Sequence, residues 1–265
     1  MSHATIRTWI AVLVVCAVSI SWQSGTCQAQ GWFDTRVAGP VVCRAEFSLT
    51  DYDGLFRDLA SVQTDLTKLL LLPPAEEPIE VYLLKDKRSF ASFLQQHYPK
   101  VPFRRALFVK GNGPGRVFVY RHEELAIDVR HEATHALLHA VLPMVPLWLD
   151  EGLAEYFEVT ANQRAYDSPH LSALRWDLRL GNVPRLHVLE AKRDLADLSG
   201  TDYRHAWAWT HFMLHGPPEA RDELVRFLGD IRSNTPPGKL SDRLERRLPD
   251  SQNRLVRHFR DWHRP

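Results

Sequence analysis

The hydrophobic positions of this 265-residue chain change period near its middle. In the first half, strand-like runs alternate with helical stretches. Val41 to Leu49 reads as a strand closed by Thr50-Asp51. Leu55, Leu59, Val62, Leu66 and Leu69 then recur at spacings of three and four, which predicts a helix with one apolar face, stopped by Pro73-Pro74. Ile79, Val81 and Leu83 take alternate positions, as on a strand, and Phe90, Phe93 and Leu94 mark a short helix. Ala106-Leu107-Phe108-Val109 and Val117-Phe118-Val119-Tyr120 make a hairpin pattern around Gly111-Asn112-Gly113-Pro114-Gly115. A phosphate-cradling loop needs a helix N-terminus after it; a strand follows here, so the glycines read as a turn.

From Glu124 onward the spacing is helical almost throughout. Ser168-Pro169 opens one helix, Thr201-Asp202 another, and Pro218 to His263 carries at least two amphipathic helices. The pattern predicts an α+β fold in which a small mixed N-terminal sheet with its helices packs on a mainly helical C-terminal lobe. The expected lobes are 30–123 and 124–265, together one compact unit.

Composition narrows the classes. With 45% hydrophobic and 25% charged residues the chain is neither disordered nor a multispanning membrane protein. Lys and Arg number 33 against 32 Asp and Glu, a net charge of +1, which argues against a nucleic-acid partner. Residues 1–29 differ from the rest. Arg7 precedes an apolar run from Trp9 to Ile20, and Cys27-Gln28-Ala29 supplies a small-x-small cleavage pattern. This predicts a secretory signal peptide and a secreted or periplasmic protein, with a retained N-terminal anchor as the other reading. The run is shorter than the roughly 20 residues a spanning helix needs, so no membrane span is expected after cleavage. Cleavage removes Cys16 and Cys27 and leaves Cys43, so neither an internal disulfide nor a cysteine metal cluster is expected.

The candidate chemistry sits at the start of the helical half. His131-Glu132-Ala133-Thr134-His135 lies in a helical pattern ended by Pro143. Residues four apart share one helix face, so two imidazoles can converge on one ion, and Glu132 beside the first can act as general base toward the water that the ion activates. A catalytic zinc takes three protein ligands and keeps one open position. After the short turn bearing Pro143 and Pro146, a second helix opens with Trp148-Leu149-Asp150-Glu151-Gly152-Leu153-Ala154-Glu155-Tyr156. It must pack back on the first and bring Glu151 to the histidine pair. Glu155, one turn further on, is placed to orient an imidazole from behind. His139 is about 12 Å along the helix from His131 and cannot share its ion, which leaves it at the surface or the pocket rim. The metzincin pattern fails because Leu138 and Val141 stand where it needs Gly and His. His211 and His215 are also four apart, yet have no adjacent Glu, and read as half-buried helix histidines. Trp148, Trp176, Trp207 and Trp209 read as core or pocket wall, and Arg246, Arg247, Arg254, Arg257 and Arg260 as solvated helix surface.

Taken together, H-E-A-T-H and W-L-D-E-G-L-A-E-Y resemble the gluzincins, the clan of thermolysin and the M1 aminopeptidases, and most closely the small secreted bacterial peptidase MA-like proteins. The resemblance spans Asp128 to Glu158. It implies a zincin-like fold, one Zn2+ on His131, His135 and Glu151, and peptide or protein substrates. Asp202-Tyr203-Arg204-His205-Ala206-Trp207 resembles the clan's tyrosine-bearing helix, which would make Tyr203 the donor to the oxyanion of the tetrahedral intermediate. The aminopeptidase strand G-x-M-E-N is absent from the sequence, which tilts the expectation toward an endopeptidase. Two other readings stand beside the hydrolase: a non-catalytic zinc-binding extracytoplasmic protein on the peptidase scaffold, and a helical domain whose histidine pair is coincidental. Glu132 distinguishes the enzyme from the binder, since a metal-only site needs no carboxylate there.

Overall fold

A computed structural model describes residues 31–111 and 113–263. The expected signal peptide, residues 1–29, lies outside them. Five strands form one sheet in the order β1-β2-β3-β5-β4: β1 Asp34–Ala38, β2 Val41–Ala45, β3 Ile79–Leu84, β4 Ala106–Val109 and β5 Arg116–Tyr120. The pairs β1/β2 and β4/β5 are antiparallel hairpins, and β2/β3 and β3/β5 are parallel. The mixed sheet expected from the sequence is therefore present, with one strand more. The extra strand, β1, is an edge with alternating exposure, and Val37 on it is 69% exposed. No apolar run announces such a strand. Correspondingly, β2 ends at Ala45 rather than Leu49.

Strand alternation divides the sheet into two faces. Val41, Cys43, Ile79, Val81, Leu83, Phe108, Val117 and Val119 enter the main core, which continues without a break through both expected lobes to Leu255 and Phe259. That face carries α1, Asp53–Leu70, and α3, Leu125–Val141. On the other face Leu84, Leu107, Phe118 and Tyr120 meet Phe90 and Leu94 of α2, Lys87–His97, in a smaller cluster. The helical half continues with α4 Leu147–Phe157, α5 His170–Arg179, α6 Leu186–Glu190, α7 Gly200–His215, α8 Pro218–Arg232, α9 Leu240–Arg247 and α10 Ser251–Asp261. The start of α7 differs from the expectation. Its cap is Ser199, which accepts from the Asp202 backbone N–H while the Asp202 carboxylate accepts from the Ser199 N–H, so Thr201 is already inside the helix. Trp148, Trp207 and Trp209 are buried, but Trp176 is 59% exposed and is not core. No helix among the described residues is long and apolar enough to cross a membrane.

Burial along α3 and α4 departs from that of surface helices. Every residue from Asp128 to Leu138 and from Trp148 to Phe157 is buried. Helices enclosed on all sides are normally apolar all round, yet these two carry Asp128, Arg130, His131, Glu132, His135, Asp150, Glu151 and Glu155 in the interior. A charge removed from water costs several kcal/mol unless it is paired or bound to a metal.

Candidate metal centre

The turn from Leu142 to Pro146 folds α4 back along α3. Side-chain contacts show the helices running antiparallel. His131 meets Glu158 just past the end of α4, His135 meets Asp150 and Glu151, and His139 meets Asp150 near its start. Buried Arg130 fixes this register. Its Nε donates to the Glu158 carbonyl at 2.5 Å and its Nη1 to Asp58 on α1 at 3.0 Å. The Glu158 carbonyl is one of those a helix leaves unsatisfied at its C-terminus, so one arginine both caps α4 and ties it to two other helices.

His131, His135 and Glu151 come together as the sequence predicts. Glu151 Oε2 lies 3.6 Å from His131 Nε2 and 3.8 Å from His135 Nε2. Their ligand atoms all fall within 4.8 Å of one another, and all three residues are buried. Ligands about 2.0–2.1 Å from a tetrahedral zinc sit roughly 3.3 Å apart, so the two contacts of Glu151 need only a few tenths of an ångström of contraction to match such a geometry. Neither Glu151 Oε2 nor His135 Nε2 has a hydrogen-bond partner. Two buried polar atoms facing one another at 3.8 Å, too far to bond, fit a cation between them.

The outer contacts are richer than the sequence suggested. His131 Nδ1 shares a hydrogen bond with Glu158 Oε2 at 3.2 Å, and His135 Nδ1 lies 2.9 Å from Asp150 Oδ1 in an ion pair. Both contacts leave Nε2 of each imidazole for the ion and would raise the basicity of the ring. Glu155, expected behind a ligand imidazole, bonds His170 Nε2 at 2.6 Å on α5 instead, while remaining close to His131 and Glu158. His139, expected at the rim, points inward with its side chain 7% exposed and bonds Asp150 Oδ2 at 3.0 Å. The periodic signal for Glu158 was present in the sequence: Glu151, Glu155 and Glu158 fall at i, i+4 and i+7. Asp150 carried no such signal, because only the fold decides which face of α4 meets α3.

Burial and the mutual charges of these groups shift their titration. Burial opposes charge on His135, but the Asp150 and Glu151 carboxylates outweigh it and lift its pKa to about 9. For His131 burial likewise opposes charge, and Glu151 and Glu158 overcome it, so its pKa is also raised. Burial raises the Glu132 and Glu151 carboxyls above their usual range, despite the nearby imidazoles. Metal loading must therefore displace protons from the imidazoles, which makes affinity pH-dependent. Asp150→Asn keeps the shape and removes the charge behind His135. It is expected to weaken zinc binding about 10–100-fold, read by competition with a chelating indicator; an unchanged affinity would remove Asp150 from the site.

Two further groups face this centre. The Tyr203 hydroxyl, on the first turn of α7, is buried and without a hydrogen-bond partner. Burial, then Glu151, Glu155 and Glu132, push its pKa up, so the phenol keeps its proton and remains a donor. Arg104, from the loop before β4, has the Glu132 and Glu151 carboxyls and the Tyr203 phenol as neighbours. Sequence reasoning passed over Arg104, since a lone arginine in a loop has no pattern.

A second histidine cluster lies at the C-terminal end of α7. His211 is fully buried, its Nε2 donating to the Ala165 carbonyl at 2.9 Å, so Nδ1 accepts from His258 Nε2 at 3.1 Å. His215 Nε2 meets the Tyr156 hydroxyl at 2.8 Å. Burial depresses the pKa of both His215 and His258 to about 4. Their stabilisation is present above the unfolded value near 6.5 and is lost as pH falls toward 4, because the unfolded chain takes up the protons first. Each is expected to remove about 2 kcal/mol over that window, after discount for partial exposure. The raised pKa of His135 acts in the opposite sense in metal-free protein. The check is therefore the difference between wild type and His258→Gln, whose melting temperature should fall less between pH 6.5 and 4.

Comparison with known proteins bears on the fold. A family model described as a protein of unknown function, DUF1570, matches residues 126–237. No curated protein matches. Among solved structures, an M1 zinc metallopeptidase from Deinococcus radiodurans superposes with a TM-score of 0.50 at 17% identity, over 86% of this chain and 50% of that one. A mutant of that enzyme gives 0.49 at 16%, over 88% and 52%. The chain thus spans about half the length of the structures it matches. Its fold is similar to that of a zinc metallopeptidase, and the family match covers the two helices of the metal centre together with α5 to α8.

Proposed function

We propose that this protein hydrolyses peptide bonds with one zinc ion held by His131, His135 and Glu151. The observation that carries the reading is the approach of two buried imidazoles to one carboxylate oxygen at 3.6 and 3.8 Å, with Glu132 beside them on α3. A zinc ion there supplies a Lewis acid that lowers the pKa of water toward neutrality and polarises the scissile carbonyl. Glu132 takes the proton of the attacking water and passes it to the leaving amine. Tyr203 donates its hydroxyl hydrogen to the oxyanion, in a site where Glu132 and Tyr203 are only 4% and 3% exposed and hydrogen bonds are strong. Glu158 and Asp150 hold the imidazoles, and Glu155 holds His170 beside them.

Substrate binding follows from the sheet. Strand β4 pairs with β5 alone and is the sheet edge nearest α3, and its Phe108 ring lies 6.3 Å from that of His135 and nearly parallel to it. An extended peptide adding to that edge would run past the metal centre, and an edge strand binds chain interiors as readily as chain ends, which favours an endopeptidase. Export through the N-terminal segment, with cleavage after Ala29, belongs to the same proposal.

The test is metal analysis of protein purified without added metal, followed by hydrolysis of a peptide library. The expected result is one zinc per chain, cleavage that a chelator abolishes, and restoration by stoichiometric zinc. Protein that binds no zinc at neutral pH would end the reading.

A further inference from the structure

Arg104 is the one cation facing the centre, among the described residues, whose donors are left over. It is 6% exposed, its Nε makes a long 3.4 Å contact with the Pro102 carbonyl, and neither Nη1 nor Nη2 has a hydrogen-bond partner. The chain fixes its place. The next residue, Arg105, bonds Asp128 at 2.9 Å, one turn before Glu132 on α3, and Phe108 four residues on lies against His135. The segment from 104 to 108 therefore runs along the metal-binding face of α3, with Arg104 at the Glu132 end. Burial lowers the pKa of Arg104, yet a guanidinium stays charged in proteins.

A buried guanidinium with both Nη groups unpaired is unfavourable unless something arrives to pair it. The neighbouring carboxylates do not fill that role, since neither Glu132 nor Glu151 bonds it, and both are engaged in the chemistry proposed above. The planar fork of an arginine matches one group best, a carboxylate held by two parallel hydrogen bonds. We propose that Arg104 binds a carboxylate of the substrate beside the scissile bond, which makes acidic peptides the substrate class. An Asp or Glu side chain supplies it in an endopeptidase substrate; a peptide C-terminus there would make the enzyme a carboxypeptidase, and the probes below separate the two. The inference rests on the peptidase reading for what the ligand is part of, though binding can be measured without turnover.

The experiment uses zinc-loaded protein carrying Glu132→Gln, alone and with Arg104→Met or Arg104→Lys. Three acetylated tetrapeptides serve as probes: one with a free C-terminal acid, its C-terminal amide, and the amide with Glu as its last residue. Affinities come from calorimetry, with zinc content and melting temperature as controls. An acidic probe should bind at least tenfold more tightly than the neutral amide, and Arg104→Met should bring that ratio below about twofold. Which acid gains identifies the source of the carboxylate. Arg104→Lys should retain part of the preference, and it carries the test if the Met variant does not fold. A preference below threefold in the parent, or one that survives Arg104→Met, overturns the proposal. The two readings fail separately. Wild type that binds acidic probes through Arg104 but cleaves nothing would remove the hydrolase and keep the subsite. Wild type that cleaves acidic and neutral peptides with equal kcat/KM would do the reverse.

Discussion

Glu132→Gln is expected to lower kcat/KM for peptide hydrolysis by about 10³-fold while leaving one zinc per chain. Gln keeps the volume and polarity of Glu but cannot take a proton. Glu132 also lies outside the three atoms that converge on the cation, since the close contacts run from Glu151 to His131 and His135. The variant therefore separates chemistry from binding. Burial holds the wild-type carboxyl above its normal range, so an uncharged amide at this position relieves desolvation rather than adding to it. The melting temperature of the metal-free form should accordingly stay level or rise slightly. Retained hydrolysis within tenfold of wild type would exclude Glu132 as the base. Full zinc in both proteins with hydrolysis in neither would instead support the non-catalytic binder.

The elements that position the centre were legible because their signals are local. His131, Glu132 and His135 lie within one turn of a helix, and periodic leucines announced α1 while alternating aliphatics announced β3. The same holds for the mixed sheet, apart from β1, whose exposed edge leaves no apolar run to read. Positions that depend on which faces of two helices meet were not legible. Glu151 was expected beside the histidine pair, but its neighbour Asp150 was not, and only the packing of α4 on α3 shows Asp150 behind the His135 ring while Glu151 approaches its Nε2. His139 was expected outward because its distance from His131 excludes a shared ion. That argument is correct about the ion, but Asp150 reaches it from the facing helix. Glu155, expected to orient an imidazole, bonds His170 and lies close to His131, while Glu158 one turn on shares a hydrogen bond with His131 Nδ1. Glu155 faces both His170 on α5 and His131 on α3, whereas Glu158 meets α3 just past the end of α4. Arg104 had no sequence signal at all; its meaning comes from two unpaired nitrogens in the interior.

The second large effect is expected from a residue with no side chain. A Cβ at Gly152 would stand 2.5 Å from Thr210 Oγ1, 2.7 Å from the Ala206 carbonyl oxygen and 2.9 Å from its carbon, all on α7. Thr210 can rotate, but the Ala206 backbone cannot yield without moving the helix. In an unconstrained helix Gly→Ala gains about 1 kcal/mol, and Gly229, whose Cβ would meet nothing within 4 Å, is the internal control. Gly229→Ala should raise stability by about that amount, whereas Gly152→Ala should lower it by about 3 kcal/mol as α4 and α7 are forced apart. The same displacement acts on the chemistry. Glu151 immediately precedes Gly152 on α4, and Tyr203 lies one turn before Ala206 on α7, so separating the helices draws the proposed third ligand and the proposed oxyanion donor away from each other. Gly152→Ala should therefore lose zinc affinity and melting temperature together, while Glu132→Gln loses neither. If Gly152→Ala melts like wild type, α4 and α7 are not packed as closely as their backbones indicate. The placement of Tyr203 over the centre would then have to be withdrawn with it.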